Sequence, residues 1–358
     1  MRKVNTLISL ILLVSFISSV SFAKEASTED SGDLKSEIKE YINHHLLDSY
    51  DFSLYSFTNE QGEHIYRGFP LPVILWDDGL KVFSSSKFHH GETLAEVDGS
   101  YYKVYHNKIY KTNSSGHIDY AEDGHPTNIK PLDFSITKNV FTIFMVGLLM
   151  FFVFSRMAKN YKKSTLPSGV GRLLEPIVIY VRDEIAIPNI GKKKYKRYMN
   201  YLLTVFFFVW IINLLGLTPL GINVTNNIAV TLALALLTYV ITTFTANKNY
   251  WGHIFWMPGV PSLMKIVLAP IELLGTIIKP FSLMIRLYAN ITAGHIVLMS
   301  IIGLMFIFKN WVGSSLSFAL AFALGILELL VAALQAYIFT MLSALYFGAA
   351  VEQHHDDH

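Results

Sequence analysis

After residue 139 the sequence is dominated by five long apolar runs: Val140 to Phe154, Tyr201 to Leu217, Ile228 to Phe244, Ile266 to Phe308 and Leu316 to Ala350. Lipid offers no water to backbone N–H and C=O groups, so such a segment must close its hydrogen bonds internally, as a helix. The runs therefore predict an all-α polytopic membrane protein with five membrane-crossing helices. At about 1.5 Å per residue, each of the last two exceeds a hydrocarbon core of roughly 30 Å. They imply a long tilted helical hairpin at the C-terminal end, turning near Lys309 to Gly313, or an interfacial portion broken near Pro270 or Pro280. Only 16% of residues are charged and the net charge is +2, which leaves no electrostatic footprint for nucleic acid or an acidic substrate. Cysteine is absent, which excludes disulfides, thiol nucleophiles and thiolate metal sites.

Residues 1–23 read as a signal peptide: Arg2 and Lys3, an apolar stretch from Leu7 to Phe22, and Ala23 as the residue before the cut. Residues 24–131 have the composition of a small α+β module outside the cytoplasm. "SEIKEYINHHLLDSY" predicts an amphipathic helix, while "LPVILWDDGLKVFSSS" and "YYKVYHNKIYKTNSSG" predict hairpins turning at Asp-Gly and His-Asn. Eight of the thirteen histidines lie here, His44, His45, His89 and His90 among them. Their spacing matches no metal-ligand pattern, and they read as solvated surface groups.

Orientation follows from the basic residues. The connection from Arg156 to Asn200 holds eleven Lys and Arg, whereas "TPLGINVTNN" holds none, which predicts a cytoplasmic basic connection. Five crossings then place the N-terminal module outside and the tail inside. Within that connection, "GVGRLLEPIVIYVRDEI" reads as a helix lying along the membrane surface.

The ionisable residues inside the two long runs are few, and each is expensive in lipid. Lys279 and Lys309 are close enough to the interfaces to snorkel. Arg286 is about 10 Å of helix beyond Lys279, and its guanidinium stays charged. In an antiparallel hairpin, positions whose numbers sum to about 622 face one another, which pairs Arg286 with Gln335 and His295 with Glu328. Ala321, Gly325, Glu328, Ala332 and Gln335 form one stripe of small and polar residues, and Ala289, Asn290 and Ala293 share the face of Arg286. His295 lies nine residues from Arg286, half a turn away, so the two point to opposite sides. A fixed cation, a histidine paired with a carboxylate and a small-residue face suit a proton path past a moving carboxylate.

"LMIRLYANITAGHIVLM" and "LELLVAALQAYIFTMLSALY" resemble the two signature helices of subunit a of the F-type ATP synthase, and "NLLGLTPLGINVTNNIAVTLALAL" resembles its preceding hairpin. "APIELLGTIIKPFSLMIR" matches with Glu272, Pro280 and Arg286 in the family spacing. The resemblance covers residues 135 to 350 and implies a proton-conducting stator subunit with two aqueous half-channels, without ATP chemistry or a cofactor of its own. It implies that Arg286 is the essential charge facing the ring carboxylate, with Asn290 and Gln335 beside it, His295 and Glu328 in the inlet, and Glu272 on the path. The implied partners are the c-subunit ring, peripheral-stalk b subunits, the remaining synthase subunits and the lipid of a bacterial inner membrane. Many bacterial members carry the acid on the earlier helix and the histidine on the later one; here the two are exchanged. The exported module departs from the usual family pattern. The alternative is a proton-coupled secondary transporter, which predicts broken helices in both halves; no such repeat is visible. An intramembrane protease would need His-Glu-x-x-His, a pair of aspartates or a serine–histidine site in the spans; "EQHHDDH" lies in the tail and no aspartate lies between Ile185 and His355.

Overall fold

The computed structural model describes residues 48–58, 64–91, 93–121, 124–162, 169–218, 222–257, 260–308 and 311–352. The signal peptide, the helix expected before Asp48 with His44 and His45, the turn residues Lys309 and Asn310, and the end of the tail lie outside them. The chain divides into two compact units, Met1–Met145 with Leu215–Asn223 and Phe306–Lys309, and Val146–Leu214 with Val224–Met305 and Asn310–His358.

The first unit is built on three small antiparallel sheets. β1 (Asp51–Thr58) pairs with β2 (His64–Pro70). β3 (Pro72–Trp76) lies between β4 (Leu80–Ser84) and β8 (Leu132–Asp133), and β6 (Ser100–Tyr105) between β5 (Ala95–Val97) and β7 (Lys108–Thr112). Both expected hairpins form, and the turn chemistry explains why. His106 and Asn107 both have positive φ, as a two-residue turn of the twist-compatible type requires, and Gly79 (φ 131°) closes the β3–β4 loop. Val73, Leu75, Phe83, Phe88, Tyr102 and Ile109 make the core.

Asp48, Ser49 and Tyr50, the last three residues of the expected helix, are not helical, and Asp48 and Ser49 serve another helix instead. Asp48 accepts a hydrogen bond from the Asn139 N–H at 3.1 Å, and the Lys138 N–H donates to the Ser49 carbonyl at 2.9 Å. Together they satisfy the free N–H groups at the start of α1 (Lys138–Tyr161).

After α1 come α2 (Gly171–Tyr180), a π-helical segment Val181–Ala186, α3 (Ile187–Ile190), α4 (Tyr195–Gly216), α5 (Ile228–Thr245), α6 (Lys248–Phe255), α7 (Ser262–Ile307) and α8 (Trp311–Val351). Five of these helices are long and apolar enough to cross a membrane: α1, α4, α5, α7 and α8. The chain is a multi-pass membrane protein. Asn227 caps α5 by accepting from the Ala229 N–H at 3.0 Å. Thr238, Thr242 and Thr245 turn their hydroxyls onto carbonyls one turn back, which makes them tolerable in an apolar span. α7 runs unbroken through Pro270 and Pro280, so of the two alternatives the long continuous helix is the one formed. Each proline deletes one backbone donor, and the other rungs hold the helix. Its 46 residues extend about 69 Å, which requires a strong tilt in any bilayer.

The end of α8 forms the core of the second unit. Phe347 stacks on Tyr198 at 4.6 Å, and Asn189 approaches Gly348 so closely that a Cβ there would lie 2.0 Å from the Asn189 carbonyl oxygen. The last carbonyls of α8 are satisfied from outside the helix. The Asn247 N–H donates to Ala350 O at 2.8 Å, while Asn247 Nδ2 and Lys194 Nζ donate to Val351 O at 3.0 and 2.7 Å.

Candidate functional site

His295 on α7 and Glu328 on α8 meet as their numbering predicts. His295 Nδ1 lies 3.0 Å from Glu328 Oε1, with both side chains buried. The approach is not aligned as a hydrogen bond, and neither carboxylate oxygen has such a partner among the described residues. Gly294 gives the carboxylate room. A Cβ there would stand 3.2 Å from Glu328 Oε1, so a missing side chain lets the carboxylate lie against α7. One turn earlier the Thr292 hydroxyl has two acceptors within reach, the Asn226 side-chain oxygen and Tyr288 O, which adds polar groups on the same stretch of helix. Sequence reading missed Asn226 and Thr292, because neither is ionisable.

The stripe on α8 is a buried face: Ala321, Glu328, Ala332 and Gln335 are all buried. Arg286 and Asn290 instead are exposed on α7, while Leu283, Leu287 and Ile291 beside them are buried. The half-turn separation of Arg286 and His295 thus appears as opposite burial, and about 13 Å of helix rise lies between them. Arg286 makes no hydrogen bond or ion pair among the described residues. No hydrogen bond joins it to Gln335, which is buried on α8 while Arg286 is exposed. An exposed guanidinium in an apolar helix leaves its charge open to a group from outside the chain.

A second polar region lies on the earlier half of α7. Thr238, Thr242, Tyr250, Thr276, Lys279 and Tyr346 line a cleft together with Pro280, and the Tyr346 hydroxyl donates to Lys279 O at 3.5 Å. Glu272 is half-buried two turns before Lys279, within electrostatic reach of Tyr250. Sequence reading singled out Glu272 and named Lys279 only as an interfacial group; the cleft itself needs α5, α6, α7 and α8 together. Among the described residues no three histidines or carboxylates converge as a metal site.

These groups can exchange protons at a buried imidazole and carboxylate, and hold a fixed positive charge on an outward face. The family model for the ATP synthase A chain matches residues 140–348, and a domain of unknown function (DUF8433) matches residues 41–134. The ATP synthase subunit a of Chloroherpeton thalassium is 38% identical over 262 residues, 67% of this chain and 77% of the relative. That of Myxococcus xanthus is 43% identical over 235 residues, 63% of this chain and 77% of the relative. That of Pelodictyon phaeoclathratiforme is 39% identical over 282 residues, 75% of this chain and 80% of the relative.

Proposed function

Because the chain belongs to the ATP synthase A chain family, and is therefore a proton-translocating stator subunit of that complex, we propose that Arg286 is the charge on which its coupling turns. Arg286 faces the ion-binding carboxylate of a ring of c subunits and keeps it ionised as it passes. Protons enter from outside through a half-channel containing His295 and Glu328, neutralise a ring carboxylate and travel round with the ring. They leave to the cytoplasm through a second half-channel, for which the cleft of Tyr250, Lys279 and Tyr346 is the candidate, with Glu272 beside it and Asn290 and Gln335 near the arginine. Peripheral-stalk b subunits hold this chain against the rotating ring.

The observation that carries the reading is the opposite burial of Arg286 and His295 on one helix, with Glu328 of α8 against the histidine. A single aqueous channel would short-circuit the ring, whereas two paths on opposite sides of a fixed cation force the proton to travel with it. Residues 24–131 form the module outside, whose sheet β8 completes just past that boundary, 132–358 continue as the membrane domain with its C-terminus in the cytoplasm, and residues 1–23 direct export. The bacterial plasma membrane is the location. None of the three named relatives is a secondary transporter.

The test is Arg286→Ala in the assembled complex. Coupled synthesis and ATP-driven proton pumping are both lost, and Arg286→Lys does not restore them, since a desolvated lysine sheds its proton and lacks the planar fork. Substantial coupled turnover with alanine at this position refutes the mechanism.

A further inference from the structure

The three-stranded sheet of β4, β3 and β8 has two apolar faces, and the fold buries only one. Val73, Leu75 and Phe83 point into the core, at 0, 0 and 8% exposure. The alternate residues of the same strands stand side by side on the other face. Trp76 is paired with Leu80 and with Leu132, and Val82 with Ile74, whose carbonyl accepts from the Phe134 N–H at 2.9 Å. Trp76, Leu80, Val82, Leu132 and Phe134 are each 56 to 64% exposed, and none of the cross-strand rows they form carries a charge. Scattered surface apolar residues are ordinary, but contiguous rows of them across three strands mark a docking surface.

We propose that this face rests on the lipid bilayer, on the side from which α1 enters it. Three observations select lipid as the occupant. First, the strand that carries Leu132, with Phe134 just after it, leads directly into α1, with three residues between Phe134 and Lys138, so the face lies within about 20 Å of chain from the start of a membrane helix. Second, the module has no slack with which to move away. Asp48 and Ser49 bind the first turn of α1, and Phe52 and Phe69 both pack edge-on against Phe141 at 5.4 Å. Third, that helix exposes apolar side chains from its first turns, Val140 and Phe144, 47 and 64% exposed in a segment apolar enough for lipid. A tryptophan and a phenylalanine among aliphatics, without charge, are the side chains that settle at the boundary between headgroups and acyl chains. The module is thus a monotopic foot at the start of the first membrane helix.

The chain has no cysteine, so single reporters can be placed directly. Leu80→Cys, Val82→Cys and Leu132→Cys replace exposed side chains, and Glu96→Cys, an exposed site on β5, serves as the aqueous control. Each is spin-labelled in the intact complex, reconstituted into vesicles of phosphatidylethanolamine and phosphatidylglycerol, and probed by power saturation with oxygen and with a water-soluble nickel chelate. At the three face positions the ratio of oxygen to nickel accessibility is expected to exceed that of the control several-fold. A ratio equal to the control places the face in water and overturns the proposal. Protection from both reagents shows a neighbouring subunit or a second copy on the face, and overturns it equally.

Discussion

Breaking the His295–Glu328 contact in stages measures whether the two residues share one proton path. His295→Ala and Glu328→Ala are compared singly and together, with the exchange His295→Glu plus Glu328→His as the fourth variant. Side chains in direct contact couple by roughly 0.5–3 kcal/mol. At 3.0 Å without hydrogen-bond alignment, the middle of that range applies, about 1.4 kcal/mol, or a tenfold effect on a rate. If each single substitution slows flux by about tenfold, independent sites give about a hundredfold loss in the double variant, and a coupled pair gives about tenfold. Breaking a buried pair from one side also costs on the order of 3–5 kcal/mol of stability, so the amount of subunit per assembled complex must be measured alongside. The assay is passive proton flux through membranes stripped of the soluble ATPase sector, at several pH values. The exchange keeps both groups in the path with their order reversed, and recovers more flux than either half of it alone. Single effects that multiply, with no recovery on exchange, refute the pairing.

Gly348→Ala places a methyl 2.0 Å from the Asn189 carbonyl oxygen; because the obstacle is backbone, the cost exceeds the usual 1–3 kcal/mol of overpacking, and the chain fails to accumulate in membranes, as immunoblotting will show. Asp77 accepts hydrogen bonds from Lys111 at 2.8 Å and the Tyr102 hydroxyl at 2.7 Å, and the Lys111 ammonium holds it below the ordinary aspartate value of 3.8. The unfolded state therefore binds that proton more tightly, so this stabilisation is full above pH 3.8 and is lost as pH falls through the lower folded value. Hydrogen exchange of β3, β4, β6 and β7 in the full chain, corrected for intrinsic rates, accelerates in that acid window, and Asp77→Asn removes the pH-dependent component. A reporter fused after residue 130 is active only outside the cytoplasm and one at the C-terminus only inside; the reverse pattern overturns the orientation inferred from the basic connection.

By itself the sequence determined whatever a local period or a one-dimensional register encodes. Apolar length set the five spans, since an uninterrupted apolar run of that length closes its backbone hydrogen bonds in lipid as a helix. Two-residue turns at His106–Asn107 set a hairpin, because only residues that tolerate positive φ fit. The meeting of His295 with Glu328 followed from counting along an antiparallel pair, and the opposed faces of Arg286 and His295 from half a helical turn. Three features needed the tertiary structure. Asp48 became a cap for α1 rather than the end of a helix, because the N–H groups of a helix start claim a carboxylate wherever the fold brings one. Gly348 is required by a backbone 159 residues earlier, and the carbonyls of α8 are closed by Lys194 and Asn247 from other segments. The alternation in β3 marks Val73 and Leu75 as one face and Trp76 as the other, but both faces are apolar, so the pattern carries no choice between them. Packing made that choice: a core has room for one side of a sheet, and the side left over is decided by what the rest of the chain covers.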